Sequence, residues 1–212
     1  MHNLKLIIFD LDGTLVNAYP AIVSSFNYAM QKTGYPKQAP GIICRAVGWG
    51  DERLLTPFIK KADLKKVLSI YRRHHRKSLL CQSRLFPSVK KLLTYLENRG
   101  YQLALASNRP TRFLWILIRH LKIAPYFNTI LCADKLAHGK PHPEILQKIM
   151  RKERSKPSET LYVGDMTIDA QAGRRAAIKT VIVTTGSSSR QEIRREEPWR
   201  IAHKITDLFK IL

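Results

Sequence analysis

Two kinds of hydrophobic pattern alternate along this chain. In the first, a short apolar segment ends abruptly in a polar turn, and in the second, apolar residues recur at helical spacing. Because strands that alternate with helices form a parallel sheet covered on both faces, this alternation predicts an α/β fold with a doubly wound parallel sheet. The apolar segments predict strands at Leu4–Phe9, Leu103–Ala106, Thr129–Leu131, Leu161–Val163, Thr180–Val183 and Ile201–Ile205.

The predicted helices lie between these strands. Ser88–Asn98 carries apolar residues at helical intervals. Thr111 is placed to cap a second helix, and Pro143 with Glu144 suits the start of a third. The segment Asp169–Ala177 is rich in Ala and Gly, which predicts a helix that packs closely on the sheet.

Residues 17–84 interrupt the alternation directly after the first strand. They show helical spacing and no convincing strand, and they are far longer than an ordinary loop between a strand and a helix. Helices are expected at about Ala18–Thr33, Gly50–Lys61 and Ala62–Leu80. The sequence therefore predicts a core domain made of residues 1–16 and 85–212, and an inserted all-helical cap domain made of residues 17–84.

Charge adds a second feature to this picture. The 212 residues include 37 Lys and Arg against 16 Asp and Glu, a formal net charge of +21, and residues 17–84 hold 13 of the basic and 3 of the acidic side chains. Such a balance favours anionic partners, and it is compatible with a solubilising surface, with steering of an anionic substrate or with nucleic-acid binding. Nucleic acid is less favoured, because the basic run 65–77, which also contains His74 and His75, has a single aromatic residue of the Phe, Tyr and Trp type, and that residue, Tyr71, belongs to the apolar stripe of the helix.

The sequence predicts a cytoplasmic protein and no membrane partner. It contains no stretch of about 18 uncharged apolar residues, as a membrane span requires. Leu6–Phe9 is too short for the apolar region of a secretory signal. Cys44, Cys81 and Cys132 are widely spaced and form no CxxC motif, which is typical of thiols in a reducing compartment. The oligomeric state is left open.

The candidate chemistry begins where the first predicted strand ends. Asp10 and Asp12 follow the apolar run and precede Gly13 and Thr14. Residues two apart in an extended segment point the same way, so both carboxylates can face one ligand. Open α/β sheets bind ligands at the carboxyl ends of their strands. Paired acids at this position suit phosphoryl transfer, in which one carboxylate attacks and the other moves a proton.

Polar residues also follow two other predicted strands. Ser107 and Asn108 come after the second strand and offer a hydroxyl and an amide. Asp165 comes after the fourth strand, and Asp169 lies four residues further on, on the same side of the first helical turn. Lys140 adds a positive charge in a loop ahead of a helix. Together these residues place acids, phosphate-binding donors and a cation at one edge of the sheet.

These motifs identify a resemblance that spans the chain from residue 4 to about residue 182. FDLDGTLV, ASN, GKPHPE and VGDMTIDAQAG resemble the four motifs of the haloacid dehalogenase superfamily of phosphohydrolases. The inserted segment and FPSVKKLLTYLENRGYQLALASN resemble its phosphoglycolate phosphatase-like branch. The resemblance implies a Rossmann-like core with a helical cap inserted after the first strand.

The resemblance also implies roles for individual residues. Asp10 is expected to be the nucleophile that forms an aspartyl-phosphate, and Asp12 the acid and base. Lys140 is expected to pair with Asp10 and to bind the phosphoryl group. The expected Mg²⁺ ligands are Asp10, the backbone carbonyl of Asp12, Asp165 and Asp169, and the expected phosphate-binding residues are Thr14, Ser107, Asn108 and Lys140.

These roles predict a Mg²⁺-dependent phosphatase that acts on a small phosphorylated metabolite. Asp12 favours a phosphatase or phosphomutase, because the dehalogenases of the superfamily lack an acid at this position. Phosphoglycolate is the leading substrate, and a sugar phosphate, a nucleotide and pyrophosphate remain alternatives. An alternative of another class is a non-catalytic protein of the same fold that binds nucleic acid or a protein partner.

The loop Arg45–Arg53 is the candidate for contact with the rest of the substrate. Gly48 and Gly50 flank Trp49 and make a flexible tip between two predicted helices. Arg45 or Arg53 is placed to pair with a carboxylate or a second phosphate of the substrate, and Trp49 to contact it. Arg109, directly after Ser107 and Asn108, is a further candidate for the same contact.

Overall fold

The computed structural model describes residues 3–212, and six parallel strands form its central sheet. The sheet order is β5-β4-β1-β6-β7-β8, so the first strand lies inside the sheet. The predicted fold class is confirmed. The sheet strands are β1 (Leu6–Phe9), β4 (Gln102–Ser107), β5 (Thr129–Cys132), β6 (Thr160–Gly164), β7 (Lys179–Val183) and β8 (Arg200–Ala202), and a separate two-stranded ribbon contains β2 (Val16–Asn17) and β3 (Arg84–Leu85).

Strand β1 is buried on both faces, which explains its uninterrupted apolar sequence. Ile7 and Phe9 belong to one hydrophobic cluster, and Leu6 and Ile8 belong to another on the opposite face. Leu6 is in register with Gln102 of β4 and with Thr160 of β6. The three strands therefore end at the same edge of the sheet.

Helices cover both faces of the sheet. Buried residues of α5 (Val89–Asn98) and α6 (Thr111–His120) join the cluster of Phe9. Buried residues of α7 (Glu144–Lys152) and α8 (Thr167–Arg175) join the cluster of Ile8 on the other face. Thr111 is the first residue of its helix and donates its backbone N–H and its hydroxyl to Asp134, so it is not the cap that its position predicts. The α-helices after α8 are α9 (Arg190–Arg195) and α10 (Leu208–Ile211).

The segment between β2 and β3 is helical, as predicted, but its helices differ in detail. The helix expected over 50–61 ends at Leu55 and continues as a 3₁₀ turn, because Pro57 has no N–H to continue the hydrogen-bond ladder. The helix over 40–45 is not predicted by the sequence pattern. The four helices are α1 (Tyr19–Lys32), α2 (Pro40–Arg45), α3 (Asp51–Leu55) and α4 (Leu64–Gln82).

The two ends of this helical segment run side by side. Val16 pairs with Leu85 and Asn17 with Arg84 in an antiparallel ribbon, so both connections to the sheet leave at one point. Within the segment, α1 packs on α4 through residues such as Phe26. The division into a core of residues 1–16 and 85–212 and a cap of residues 17–84 stays a prediction.

Two further observations concern the last predicted strand and membrane-spanning helices. The strand expected over 201–205 ends at Ala202, because the chain turns into a 3₁₀ segment that begins at Ile205. Among residues 3–212, the structure contains no helix that is both long enough and apolar enough to cross a membrane.

Helix α8 approaches β7 so closely that glycine is required at their contact. A Cβ atom added to Gly173 would lie 1.8 Å from the hydroxyl oxygen of Thr180. We expect Gly173→Ala to lower the free energy of unfolding by about 1–3 kcal/mol, since overpacking forces the helix away from the sheet. Urea unfolding measures this effect. Gly41→Ala is the matched control, because no atom lies within 4 Å of its added Cβ, and equal stability of both variants would contradict the close contact.

Candidate active site

The carboxyl ends of β4, β1 and β6 bring the predicted acids and donors together. Asp10 follows β1 and Asp165 follows β6, while Ser107 ends β4. Asp10, Ser107 and Asp165 are all buried. Neighbouring parallel strands end at the same level, so residues far apart in sequence meet at this edge.

Lys140 connects two of the carboxylates. Its ammonium group donates to Asp10 at 2.6 Å, to Asp169 at 2.7 Å and to the hydroxyl of Tyr162 at 3.1 Å. Tyr162 in turn donates its hydroxyl to Asp169 at 2.6 Å. All four side chains are buried, and the three N–H groups of the ammonium each have an acceptor.

The carboxyl groups of the cluster carry more negative charge than Lys140 offsets. Burial raises the pKa of Asp10 to about 7; the Lys140 ammonium opposes this rise, and the Asp169 carboxylate adds to it. Burial, with repulsion from Asp169 and Asp10, raises the pKa of Asp165 well above its usual range. Burial lowers the pKa of Lys140, but the attraction of Asp10 and Asp169 outweighs it and raises this pKa overall. The site therefore favours an additional cation.

Three of these carboxylates are arranged so that one cation could contact all of them. Oxygen atoms of Asp10, Asp165 and Asp169 lie within 4.8 Å of one another. Two glycines keep the space beside the Asp165 carboxylate free of side chains. A Cβ atom added to Gly13 would lie 2.2 Å from Oδ2 of Asp165, and one added to Gly186 would lie 1.8 Å from the same atom. Oxygen donors in a buried acidic cradle suit Mg²⁺.

The structure places Thr14 and Asn108 as supports of the site. The fully buried Thr14 donates its hydroxyl to Asp165 at 2.9 Å. Asn108 donates its amide to the carbonyl oxygens of Gly48 and Lys140, at 2.8 and 2.9 Å, and accepts from the backbone N–H of Lys140. It thus fixes the loop that carries Lys140 beside the loop that carries Gly48. Phosphate binding by Thr14, Ser107 and Asn108 stays a prediction.

Arg109 joins the predicted acid to the helical segment. Its guanidinium donates to both carboxylate oxygens of Asp12, at 2.7 and 2.8 Å, and lies 2.9 Å from Nε2 of His75 on α4. The Arg109 side chain is only 5% exposed. The attraction of Asp12 outweighs the effect of burial and raises the pKa of Arg109, so the guanidinium is charged.

His75 also belongs to the site, although in the sequence it stands within the basic run 65–77. It is buried between Tyr71 and Phe113. Burial, with repulsion from Arg109, lowers the pKa of His75 to about 2, so its ring is neutral and Nε2 accepts from Arg109. Its spacing could have indicated this position, because His75 lies four residues after Tyr71, on the apolar side of the helix.

Substrate contact by Arg45, Arg53 and Trp49 stays a prediction. The guanidinium of Arg45 donates to both carboxylate oxygens of Glu192, at 2.8 and 2.5 Å, and to the carbonyl oxygen of Ser187 at 2.8 Å. Trp49 is 40% exposed and lies beside Arg53. The Asn108 amide holds the Gly48 carbonyl, so the loop presents its backbone near Gly48 to the cavity.

A cavity of about 70 Å³ lies between the sheet edge and the helical segment. Charged residues form its floor, and the rest of its wall is mainly apolar, apart from Asp51 on α3. Lys140 and Arg109 are the cationic side chains among the described residues of this lining. The floor is formed by Asp10, Asp12, Ser107, Asn108, Arg109, Lys140 and Asp169, and the apolar wall by Ile22, Val47, Leu54, Tyr71, Phe113, Met166 and Ile168.

A doubly wound sheet that carries an acidic cluster and a buried lysine at its carboxyl edge defines a hydrolase class. The chain belongs to the haloacid dehalogenase-like hydrolase family, whose model matches residues 7–183. The predicted membership of this superfamily is thereby confirmed.

Individual relatives agree with this placement over their full lengths. The chain is 32% identical to a phosphoglycolate phosphatase of Haemophilus influenzae (strain Rd) and 33% identical to one of Mannheimia succiniciproducens, with 98% of each chain covered in both comparisons. A crystal structure of a predicted phosphoglycolate phosphatase from Haemophilus somnus 129PT superposes with a TM-score of 0.94 at 29% identity, covering 100% of this chain and 99% of that one. The predicted likeness to the phosphoglycolate phosphatase-like branch and the predicted class of enzyme, a phosphoric monoester hydrolase, are confirmed.

Proposed function

We propose that this hydrolase is a Mg²⁺-dependent phosphatase that cleaves a small phosphate monoester through an aspartyl-phosphate. The observation that carries the proposal is the ion pair of Lys140 with Asp10 and Asp169, beside Asp165 at the end of β6. Phosphoryl transfer requires alignment and compensation of charge more than it requires elaborate covalent chemistry. This arrangement offers a nucleophile, a fixed positive charge and oxygen ligands in one buried place.

Asp10 and Asp12 have separate roles in this proposal. A carboxylate oxygen of Asp10 attacks phosphorus, the bond from phosphorus to the ester oxygen breaks, and the departing oxygen takes a proton from Asp12. Asp12 then takes a proton from the water that attacks the phosphorus of the aspartyl-phosphate, so that Asp10 and inorganic phosphate are released. Lys140 holds Asp10 in place and offsets its charge as the phosphoryl group approaches.

The residues present fit the metal that the family implies. Asp10, Asp165 and Asp169 would hold Mg²⁺ with the backbone carbonyl of Asp12, as the excess of buried carboxyl groups and the glycine-lined space indicate. Bound Mg²⁺ supplies positive charge that lowers the repulsion between the nucleophile and the phosphoryl oxygens.

The cavity supports a small substrate. It offers about 70 Å³ above the reacting residues, with apolar residues of both the helical segment and the core around it. Phosphoglycolate is therefore the leading candidate, in line with the names of the relatives. Sugar phosphates, nucleotides and pyrophosphate are the alternatives, and a cytoplasmic location stays a prediction.

A phosphate-release screen over small phosphorylated metabolites, with Mg²⁺ and with a chelator, tests the proposal. We expect phosphoglycolate to be among the best substrates, and turnover to fall at least about 100-fold when the metal is removed, because the carboxylates then repel the phosphoryl group. Re-addition of Mg²⁺ should restore the rate. Turnover that persists unchanged in chelator would contradict the Mg²⁺ requirement, and salt-sensitive binding of DNA or RNA without any turnover would favour the non-catalytic alternative.

A further inference from the structure

Arg109 is the cationic side chain, among the described residues of the cavity lining, that the proposed mechanism does not use. Two of its N–H groups bind the carboxylate of Asp12, the residue that is to protonate the departing oxygen. A guanidinium and a carboxylate in this two-point arrangement form a strong, directional pair. The structure thus places the proposed acid in a two-point pair with a buried arginine.

Of the two cationic side chains among the described residues of the cavity lining, only Arg109 has donor capacity to spare. The three N–H groups of Lys140 are already directed to Asp10, Asp169 and Tyr162. A guanidinium has five N–H groups, and those of Arg109 have Asp12 and His75 as partners. A second anionic group on a substrate would therefore be received by Arg109.

His75 holds Arg109 at this place. Its neutral ring accepts from Arg109 through Nε2, which leaves the proton on Nδ1, 3.1 Å from the hydroxyl oxygen of Ser25. Ser25 in turn donates to the backbone carbonyl of Ala21 on α1. The guanidinium is thereby anchored to the helical segment by an acceptor that does not compete with it for positive charge.

We propose that Arg109 binds a carboxylate of the substrate in exchange for the carboxylate of Asp12, and thereby releases Asp12 to act as the acid. This inference rests on the proposed phosphatase function. In a phosphate ester of a two-carbon acid, only two bonds separate the ester oxygen from the carboxylate carbon. The residue that binds this carboxylate must therefore lie directly beside the residue that protonates the ester oxygen, and Arg109 contacts Asp12.

The exchange preserves the charge balance of the buried cavity. As Asp12 leaves the guanidinium it takes up a proton from the solvent, and the substrate carboxylate replaces it on Arg109, so no unpaired charge is created. The neutral carboxyl group of Asp12 then holds the proton that it gives to the ester oxygen. A phosphate ester without a second anionic group gives Arg109 no replacement for Asp12. Such an ester has to be cleaved while Asp12 remains paired, and we infer that the enzyme discriminates against it for this reason.

The test compares phosphoglycolate with ethyl phosphate, which has a similar chain and no carboxylate. Wild-type enzyme should prefer phosphoglycolate in kcat/KM. Arg109→Met should lower kcat/KM for phosphoglycolate at least about 100-fold, since a two-point charged hydrogen bond is lost. The same variant should cleave ethyl phosphate faster than the wild type, because Asp12 is no longer held by an arginine, so the preference for phosphoglycolate should disappear.

The matched control is Arg119→Met near the end of α6, since Arg119 is exposed and lies over the ring of Trp115, away from the cavity. It should leave both rates unchanged. The rate with ethyl phosphate also shows whether Arg109→Met is folded. Equal losses on both esters, or a wild-type enzyme without preference for the carboxylate, would overturn the role of Arg109.

Failure of the proposed function gives a different result. If the wild type hydrolyses neither ester, the phosphatase proposal fails, and calorimetric titration of phosphoglycolate then tests Arg109 by itself. Binding at least about 10-fold weaker in Arg109→Met supports the carboxylate contact, and equal binding overturns it.

His75 is expected to be a positioning residue for Arg109. His75→Gln keeps an acceptor at about the place of Nε2, whereas His75→Phe keeps the packing against Tyr71 and Phe113 but removes the acceptor. We expect His75→Phe to raise KM for phosphoglycolate about 10-fold and to lower the preference for phosphoglycolate over ethyl phosphate, with His75→Gln close to wild type. Equal KM values for phosphoglycolate in the two variants would contradict the anchoring role.

Discussion

Asp10→Asn is expected to abolish turnover of phosphate esters, with a loss in kcat of at least about 10⁴-fold, because an amide oxygen cannot replace the attacking carboxylate. The side chains have the same shape, so the fold should persist. Since burial raises the pKa of Asp10 to about 7, the neutral amide also removes a carboxyl group that the folded state accommodates poorly when it is ionised.

Phosphate release and trapping of the covalent intermediate both measure this effect. Acid quenching of the wild type with phosphorus-labelled substrate should leave label on the protein, and Asp10→Asn should carry none. Asp63→Asn is the matched control, since Asp63 accepts from the hydroxyl of Tyr35 in the helical segment and does not line the cavity. Wild-type rates in Asp10→Asn would show that another group attacks phosphorus.

Lys140→Met is expected to have the second largest effect, on activity and on stability together. Removing the ammonium leaves Asp10 and Asp169 buried without their partner, which costs about 3–5 kcal/mol in comparable buried pairs. Turnover should fall at least about 10³-fold, because the charge that holds and offsets the nucleophile is lost. Urea unfolding and phosphate release measure the two effects.

The instability of Lys140→Met should depend on pH in a defined direction. The Lys140 ammonium lowers the pKa of Asp10, so its removal raises this pKa further above the value of the unfolded chain. A carboxyl group with a raised pKa in the folded state binds more protons there, so stability falls as the pH rises from about 4 through the folded pKa. We therefore expect a larger loss of stability at pH 8 than at pH 6.

Lys148→Met is the control for this variant. Lys148 is partly exposed and pairs with Glu144 one helical turn away, a contact worth about 0.5 kcal/mol or less. If Lys140→Met unfolds at the same urea concentration as Lys148→Met and keeps its rate, the buried triad of Lys140, Asp10 and Asp169 does not have the energetic role assigned to it here.

Local sequence was sufficient for the sheet and for the acidic floor of the site. The apolar run before Asp10 predicts a buried strand because every side chain of β1 faces packed helices. Asp10, Asp12 and Asp165 were predicted at the edge of the sheet because parallel strands end together there. Helix ends within the insertion were less accurate, as at Pro57, because short helices depend on tertiary packing more than on pattern.

Local sequence was not sufficient to predict which residues line the rest of the cavity. Arg45, Arg53 and Arg109 are equivalent candidates in sequence, since each is a cation in or beside a loop. Their burial in the structure distinguishes them. Arg109 is buried and donates to Asp12 in the cavity, whereas Arg45 is exposed and donates to Glu192 at the surface. In the sequence, His75 belongs to a basic run. In the structure, its side chain is buried on the apolar side of α4.

The sequence by itself determined the α/β fold, the family and the candidate residues for phosphoryl transfer, because each of these depends on periodicity or on spacing within a short motif. Only the tertiary structure decided which arginine lines the cavity and which carboxylate that arginine holds. The pairing of Arg109 with Asp12 and His75 joins three distant parts of the chain. Such a contact depends on how the helical segment packs over the sheet, and no local pattern encodes that geometry.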